Sequence, residues 1–285
     1  MKTKTTLFAL LLCAFTLGFA PSSRAADEFK GNWTIAPSKQ PGQVLFGLIH
    51  RSDGNNSQSQ SDWPAGEFLG LDLSVAGKRD VKFYIARDAG RFDCEGYLKD
   101  SEGAGIFRFT PDAQYPKDMK SLGFDGVDGE MQFAMAVHDV SLDFARTMKA
   151  EKLSGLTTEM LMAFRIHGVT PQFIREIRAA GLKAEDSDKV VAFRIHGVTP
   201  QMVREVRQSG LTVSEDELIA FRIHGVTPAF IAKVETLGYK GLEPDQLIAM
   251  RIHGVTPEYI NDLKARGMKN LTVDQMVNLR IHGID

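Results

Sequence analysis

Six histidines recur through the C-terminal half of the chain, at His138, His167, His196, His224, His253 and His282, at intervals of 29, 29, 28, 29 and 29 residues. Imidazole ligates transition metals and titrates near neutrality, so the chemistry to weigh first is a metal-binding or proton-sensing ladder. Spacing argues against it. Zinc bound to nitrogen at about 2 Å needs ligands within roughly 4 Å of one another, whereas neighbouring packed helices lie about 8–10 Å apart. The expected role is structural: a residue of the last helical turn, beside free carbonyls and the negative end of the helix dipole. The arginines two positions earlier, Arg165, Arg194, Arg222, Arg251 and Arg280, are expected to be helix C-terminal cations paired with acidic loop residues of the next unit. No metal and no other cofactor is expected.

Other chemistry-bearing residues are few. Cys94 stands between Asp93 and Glu95, and flanking carboxylates raise a thiol's pKa, so it is expected to be a buried small hydrophobe. His50, Arg51, Ser52 and Asp53 could be written as a catalytic trio with one extra residue. Adjacent residues on a strand point to opposite faces, however, and a triad requires convergence. No nucleotide or nucleophile-elbow motif occurs, and Gly103-Ala104-Gly105 leads into a strand and not a helix. No catalytic residue is assigned, and the protein is expected not to be an enzyme.

The elements that must position the histidines follow from the repeat around them. Arg-Ile-His-Gly occurs five times, and four copies continue Val-Thr-Pro. Thr170 followed by Pro171 gives an N-cap and a proline at the first helical position. Phe173, Ile174 and Ile177 make one apolar face, and Gly181 stops the helix. A second helix opens at Asp186 or its equivalents; Ser214 with Glu217 and Thr272 with Gln275 predict capping boxes. The one residue missing from the 28-residue unit falls between Gly210 and Leu218, in a loop. Val137-His138-Asp139 is a degenerate copy, and Thr110-Pro111 with Tyr115, Met119 and Leu122 resembles a further half unit. Helices this short are marginal alone. Residues 110–285 are therefore expected to form an α-solenoid-like array of helix hairpins, with a half unit ending at Ile284-Asp285 as its cap.

Residues 26–109 differ. Val44–Ile49 predicts a buried strand, Arg51–Asp62 a polar loop, and Val81, Phe83, Ile85, Phe92 and Cys94 alternate with polar residues. A small antiparallel β domain, a sandwich or roll, is expected to pack on the first helical unit, which makes the chain α+β.

Residues 1–25 predict a signal peptide: Lys2 and Lys4, an apolar run from Leu7 to Phe19, and Ser23-Arg24-Ala25 before the cleavage point. Its loss takes 34 basic residues to 31 against 36 acidic, a net of −5, and leaves Cys94 as the single cysteine. The expectation is a periplasmic or secreted protein with no transmembrane segment after cleavage and no affinity for nucleic acid.

The run Val81 to Gly90, with Glu95-Gly96, Gly103-Ala104-Gly105, Phe107-Arg108-Phe109 and the Arg-Ile-His-Gly-Val-Thr-Pro units, resembles a group of exported bacterial proteins of unassigned function. The units are also similar to tail regions attached to some BlaR-like metallopeptidases of the M56 family. No histidine here is followed by glutamate, so the catalytic motif of those enzymes is absent. The resemblance implies a role in envelope sensing or protein interaction.

Comparing units within the chain separates frame from variable surface. The Ile-His-Gly-Val-Thr-Pro turn hardly changes, whereas Arg175, Arg204, Ala232 and Asn261 occupy one outer position and Glu176, Glu205, Lys233 and Asp262 the next. Arg175, Glu176, Arg204, Glu205, Lys233 and Asp262 are the candidate partner-binding face, and the expected partner is another envelope or secreted protein. Two alternatives remain at this point: a metal- or pH-responsive sensor using the histidines, and an enzyme with an interdomain site.

Overall fold

A computed structural model describes residues 29–52 and 55–283; the expected signal peptide and Asp53 lie outside the described residues. Among the described residues the chain is α+β, with a six-stranded antiparallel sheet followed by twelve α-helices. The strands are β1 (Phe29–Pro37), β2 (Gln43–Ser52), β3 (Asn55–Pro64), β4 (Lys78–Arg87), β5 (Gly90–Lys99) and β6 (Glu102–Pro111), in the order β3-β2-β1-β6-β5-β4.

Aromatic side chains curl this sheet. Phe46 on β2 and Phe83 on β4 are four strand positions apart, about 19 Å in a flat sheet, yet their ring centroids lie 6.4 Å apart. Trp63 on β3 reaches Phe92 on β5 at 6.2 Å. The two edges meet just beyond β3, where Leu69 and Tyr84 exchange backbone hydrogen bonds of 2.9 and 3.0 Å. Trp33, fully buried, lies on the inner wall where Gly96 and Gly105 face each other. A Cβ on either glycine would stand 2.7–2.8 Å from the indole.

Two sequence expectations change here. The polar run Arg51–Asp62 is largely strand, paired with β2 in continuous register from Gln43–Pro64 to Ser52–Asn55. Backbone hydrogen bonds hold this edge strand, so it needs no apolar side chains of its own until Trp63. Thr110-Pro111 closes β6 and does not open a helix; α1 (Tyr115–Ser121) starts after an Asp112 carboxylate that accepts from the Gln114 and Tyr115 amides.

The remaining helices are α2 (Gly129–Val137), α3 (Leu142–Ala150), α4 (Thr158–His167), α5 (Pro171–Ala179), α6 (Ser187–His196), α7 (Pro200–Gln208), α8 (Glu215–His224), α9 (Pro228–Thr236), α10 (Pro244–Ile252), α11 (Pro257–Ala265) and α12 (Val273–Ile281). The expected caps are present. Thr170, Thr199, Thr227 and Thr256 each accept from an amide three residues on, and Ser214 with Glu217 and Thr272 with Gln275 close capping boxes. The 28-residue unit loses its residue in the loop between α7 and α8. From α4 onward each even-numbered helix packs on the next even one, and from α5 each odd on the next odd. The β domain meets α2, whose Phe133 stacks on Phe29 at 5.0 Å and packs against Phe92, Phe107 and Phe109. No helix among the described residues is long and apolar enough to cross a membrane.

Candidate interaction surface on a clamped frame

In each Arg-Ile-His-Gly copy the arginine reaches back to the preceding unit. Arg165, Arg194, Arg222 and Arg251 donate through Nε to the backbone carbonyl oxygens of His138, His167, His196 and His224, at 2.9, 3.4, 3.1 and 3.3 Å. Arg280 donates to the Gly254 carbonyl at 3.1 Å. These carbonyls end helices and have no partner within them, so a cation from outside satisfies both hydrogen bond and dipole. Four of the five guanidinium groups also cover a ring at the start of the next helix: Arg165 on Phe144, Arg194 on Phe173, Arg251 on Phe230 and Arg280 on Tyr259, 4.2–5.1 Å from the centroid. The expected partners, acidic loops of the next unit, are therefore corrected: the arginines serve the unit before. Asp139, which bonds Arg165, belongs to the preceding unit as well.

Glycine after the histidine does two jobs. Gly197 sits at φ +70°, the left-handed region that ends a helix. A Cβ there would stand 2.9 Å from the Arg222 guanidinium. Asp139 takes this position in the degenerate copy, at φ +53°.

A second set of clamps serves the odd-numbered helices. Lys149 donates to the Leu122 carbonyl, Arg178 to Glu151, Arg207 to Gly181 and Lys264 to Leu237. The corresponding residue in α9 is Glu235, an anion, which cannot donate to a helix-end carbonyl. Sequence reasoning missed this set, although Lys149, Arg178, Arg207 and Lys264, at one register of their helices, were its visible signal.

At the junction, Arg87 of β4 plays the same part. Its side chain is 7% exposed, pairs with Glu67 at 2.7 Å, covers Trp63 at 3.5 Å, and donates to the Ala136 and Val137 carbonyls at 2.7 and 2.9 Å. Burial lowers its pKa, with Glu67 and Asp139 opposing. Burial, with Arg87 and Arg165 nearby, also holds the His138 imidazole below its ordinary value.

The sequence-selected residues fall in two places. Arg175, Glu176, Arg204 and Lys233 are exposed on the odd-numbered helices, and Glu205 and Asp262 are half-buried there. Several are engaged within the array. Arg175 pairs at 2.8 Å with Glu151, which is 8% exposed and also holds Arg178; Glu176 and Glu205 accept from Gln172 and Gln201 at 2.7 Å; Asp262 pairs with Arg266 at 2.9 Å. The six histidines end the even-numbered helices, one per unit, and among the described residues no group of three His, Cys, Asp or Glu side chains is placed to hold a metal.

Cys94 is buried on β5, and burial, then Asp93, pushes its thiol pKa up. His50 packs between Phe29 and Phe133 at 5.2 and 5.0 Å, with Nδ1 2.9 Å from the Lys30 carbonyl oxygen. That environment is the seam between β domain and α2.

One feature of the repeat escaped the sequence reading. Ile166, Ile195, Ile223, Ile252 and Ile281 are each 53–56% exposed. No protein-family model and no curated protein matches the chain.

Proposed function

We propose that the helical part is an α-solenoid-like array and that the protein, exported through a signal peptide over residues 1–25 to the periplasm or beyond, is a non-enzymatic scaffold that binds another envelope or secreted protein. The two sets of clamps carry this reading. They spend the repeated arginines, helix-end carbonyls and glycines on joining unit to unit, and leave side chains that differ between units facing outward, as repeat arrays do at binding surfaces. The resemblance of the repeat to exported proteins of unassigned function and to tail regions attached to some M56 metallopeptidases supports the same reading.

Affinity capture from envelope extract, with the full-length protein as bait, tests it. Glu176→Lys, Arg204→Glu and Lys233→Glu together leave the Arg175–Glu151–Arg178 cluster intact. A partner retained by wild type and lost by this variant is the expected result. An empty capture, or one the variant shares in full, sinks the odd-helix surface as the binding face.

A further inference from the structure

The odd-helix clamps fail at one place. Lys149, Arg178, Arg207 and Lys264, at one register, each donate to the end of the preceding odd-numbered helix. At that register α9 carries Glu235. The end of α7 is therefore left unsealed. Among the described residues no side chain donates to the Ser209 or Gly210 carbonyl, and the space over Gly210 is empty where Arg207 fills the space over Gly181. In the other units this register faces helix-end carbonyls, and a carboxylate there is repelled by the negative dipole end that the cations neutralise.

Two further differences fall on the same joint. Arg222 still donates to the His196 carbonyl at 3.1 Å, but the ring that Arg194 and Arg251 cover is replaced by Met202. The last turn of α7 also closes differently. In α5, α9 and α11 the carbonyls of Ile177, Val234 and Leu263 accept from the amides of Leu182, Tyr239 and Met268, at 3.3, 3.3 and 3.0 Å. Such a bond fastens the outgoing chain to the helix end. In α7 the matching carbonyl, Val206, accepts from the Ser209 hydroxyl at 2.7 Å. The α5–α7 and α9–α11 joints keep seal, ring and closing amide; the α7–α9 joint has none of the three.

Resting on the array reading above, we propose that the array bends at this joint. The odd layer opens between α7 and α9, while Arg222 keeps the even layer closed between α6 and α8. Arg175, Glu176, Arg204 and Glu205 lie on one side of the joint, Lys233 and Asp262 on the other. The candidate partner-binding face is thus in two parts whose relative angle is adjustable, a hinge between bodies that stay rigid.

Spin labels on the full-length protein test this. Ala150, Ala179, Gln208, Thr236 and Ala265 occupy one exposed register of the odd-numbered helices. In a Cys94→Ala background, nitroxides are placed as Ala150→Cys/Gln208→Cys, Ala179→Cys/Thr236→Cys and Gln208→Cys/Ala265→Cys. Each pair spans two joints, and pulsed dipolar spectroscopy gives its distance distribution. The first pair crosses sealed joints alone and should be narrow. The other two cross the α7–α9 joint and should be about twice as wide. Glu235→Arg should narrow both, and Arg207→Glu should widen the first, with circular dichroism checking the fold of each variant.

Three equally narrow distributions in the parent protein keep the array and overturn the joint. So does a folded Glu235→Arg variant whose widths do not change. If that variant fails to fold, the parent widths and Arg207→Glu decide. With Glu235→Arg in place the three pairs should share one mean distance, as a regular array requires; three unlike means there sink the array reading, and the joint with it.

Discussion

Arg222 donates to the carbonyl oxygen of His196 at 3.1 Å, 26 residues back, and so joins the end of one helix to the end of the equivalent helix in the unit before. The position that carries a ring in the other clamps is Met202 in this unit. The array thus contains its own control for what the ring contributes.

Replacing Arg251 by alanine should cost about 1.5–3 kcal/mol, from a charge-assisted hydrogen bond together with the contact on Phe230. Arg222→Ala should cost about 0.5–1 kcal/mol less, the cation–π share. Urea denaturation of both variants checks the order; equal losses would show that the ring adds nothing.

Gly197→Ala should lose about 1–2 kcal/mol from the left-handed backbone and more from displacing Arg222. At Gly254 the nearest guanidinium atom is 3.6 Å from the Cβ position, so alanine there should cost the backbone share alone. The gap between their denaturation midpoints measures the seat of the arginine.

Arg87→Met removes the cation joining Glu67 of the β domain to the α2 carbonyls. Breaking a buried pair on one side costs about 3–5 kcal/mol. Calorimetry should show the β domain and the array melting as separate transitions where wild type melts as one. A single transition at unchanged temperature would contradict the junction role.

His138 sets a pH dependence. The unfolded chain takes up its proton near 6.5, while the folded site, buried beside Arg87 and Arg165, takes it up only at lower pH. Stability is therefore complete above 6.5 and lost as pH falls from there toward the lowered folded value. Asp139, which contacts both arginines, is the carboxylate at the same corner. In His138→Gln the fall in melting temperature between pH 7 and 5.5 should be shallower.

Cys94 should resist thiol reagents at neutral pH in the native state, because it is buried and its pKa is raised, and react only as the β domain unfolds. Labelling with a chromogenic disulfide across a urea series reads this; prompt stoichiometric reaction of native protein would contradict it.

The helices were legible because their punctuation is local: Thr-Pro starts, capping boxes and glycine stops act within four residues. β1 was missed although Phe29, Trp33 and Ile35 alternate inward, since Gly31 breaks the apolar series. β3 was misread because its hydrogen bonds are with β2, a pairing that composition does not record. The arginines were recognised as helix-end cations, but their direction depends on which unit lies within reach, and that is a property of the stack. The isoleucines hid in plain view for the same reason, since in sequence an apolar residue in an apolar turn reads as core.

The clamps all point one way. In each of these clamps a helix end is finished by a side chain that follows it in the chain by 26 or 27 residues, and none of them reaches forward. A ribosome or export channel that delivers the chain N-terminus first thus releases each helix end unsealed, then supplies its seal one unit later. Order of emergence and order of completion coincide, so the growing molecule carries at most its newest unit open, and shortening the chain from its C-terminal side merely moves that open end back by one step.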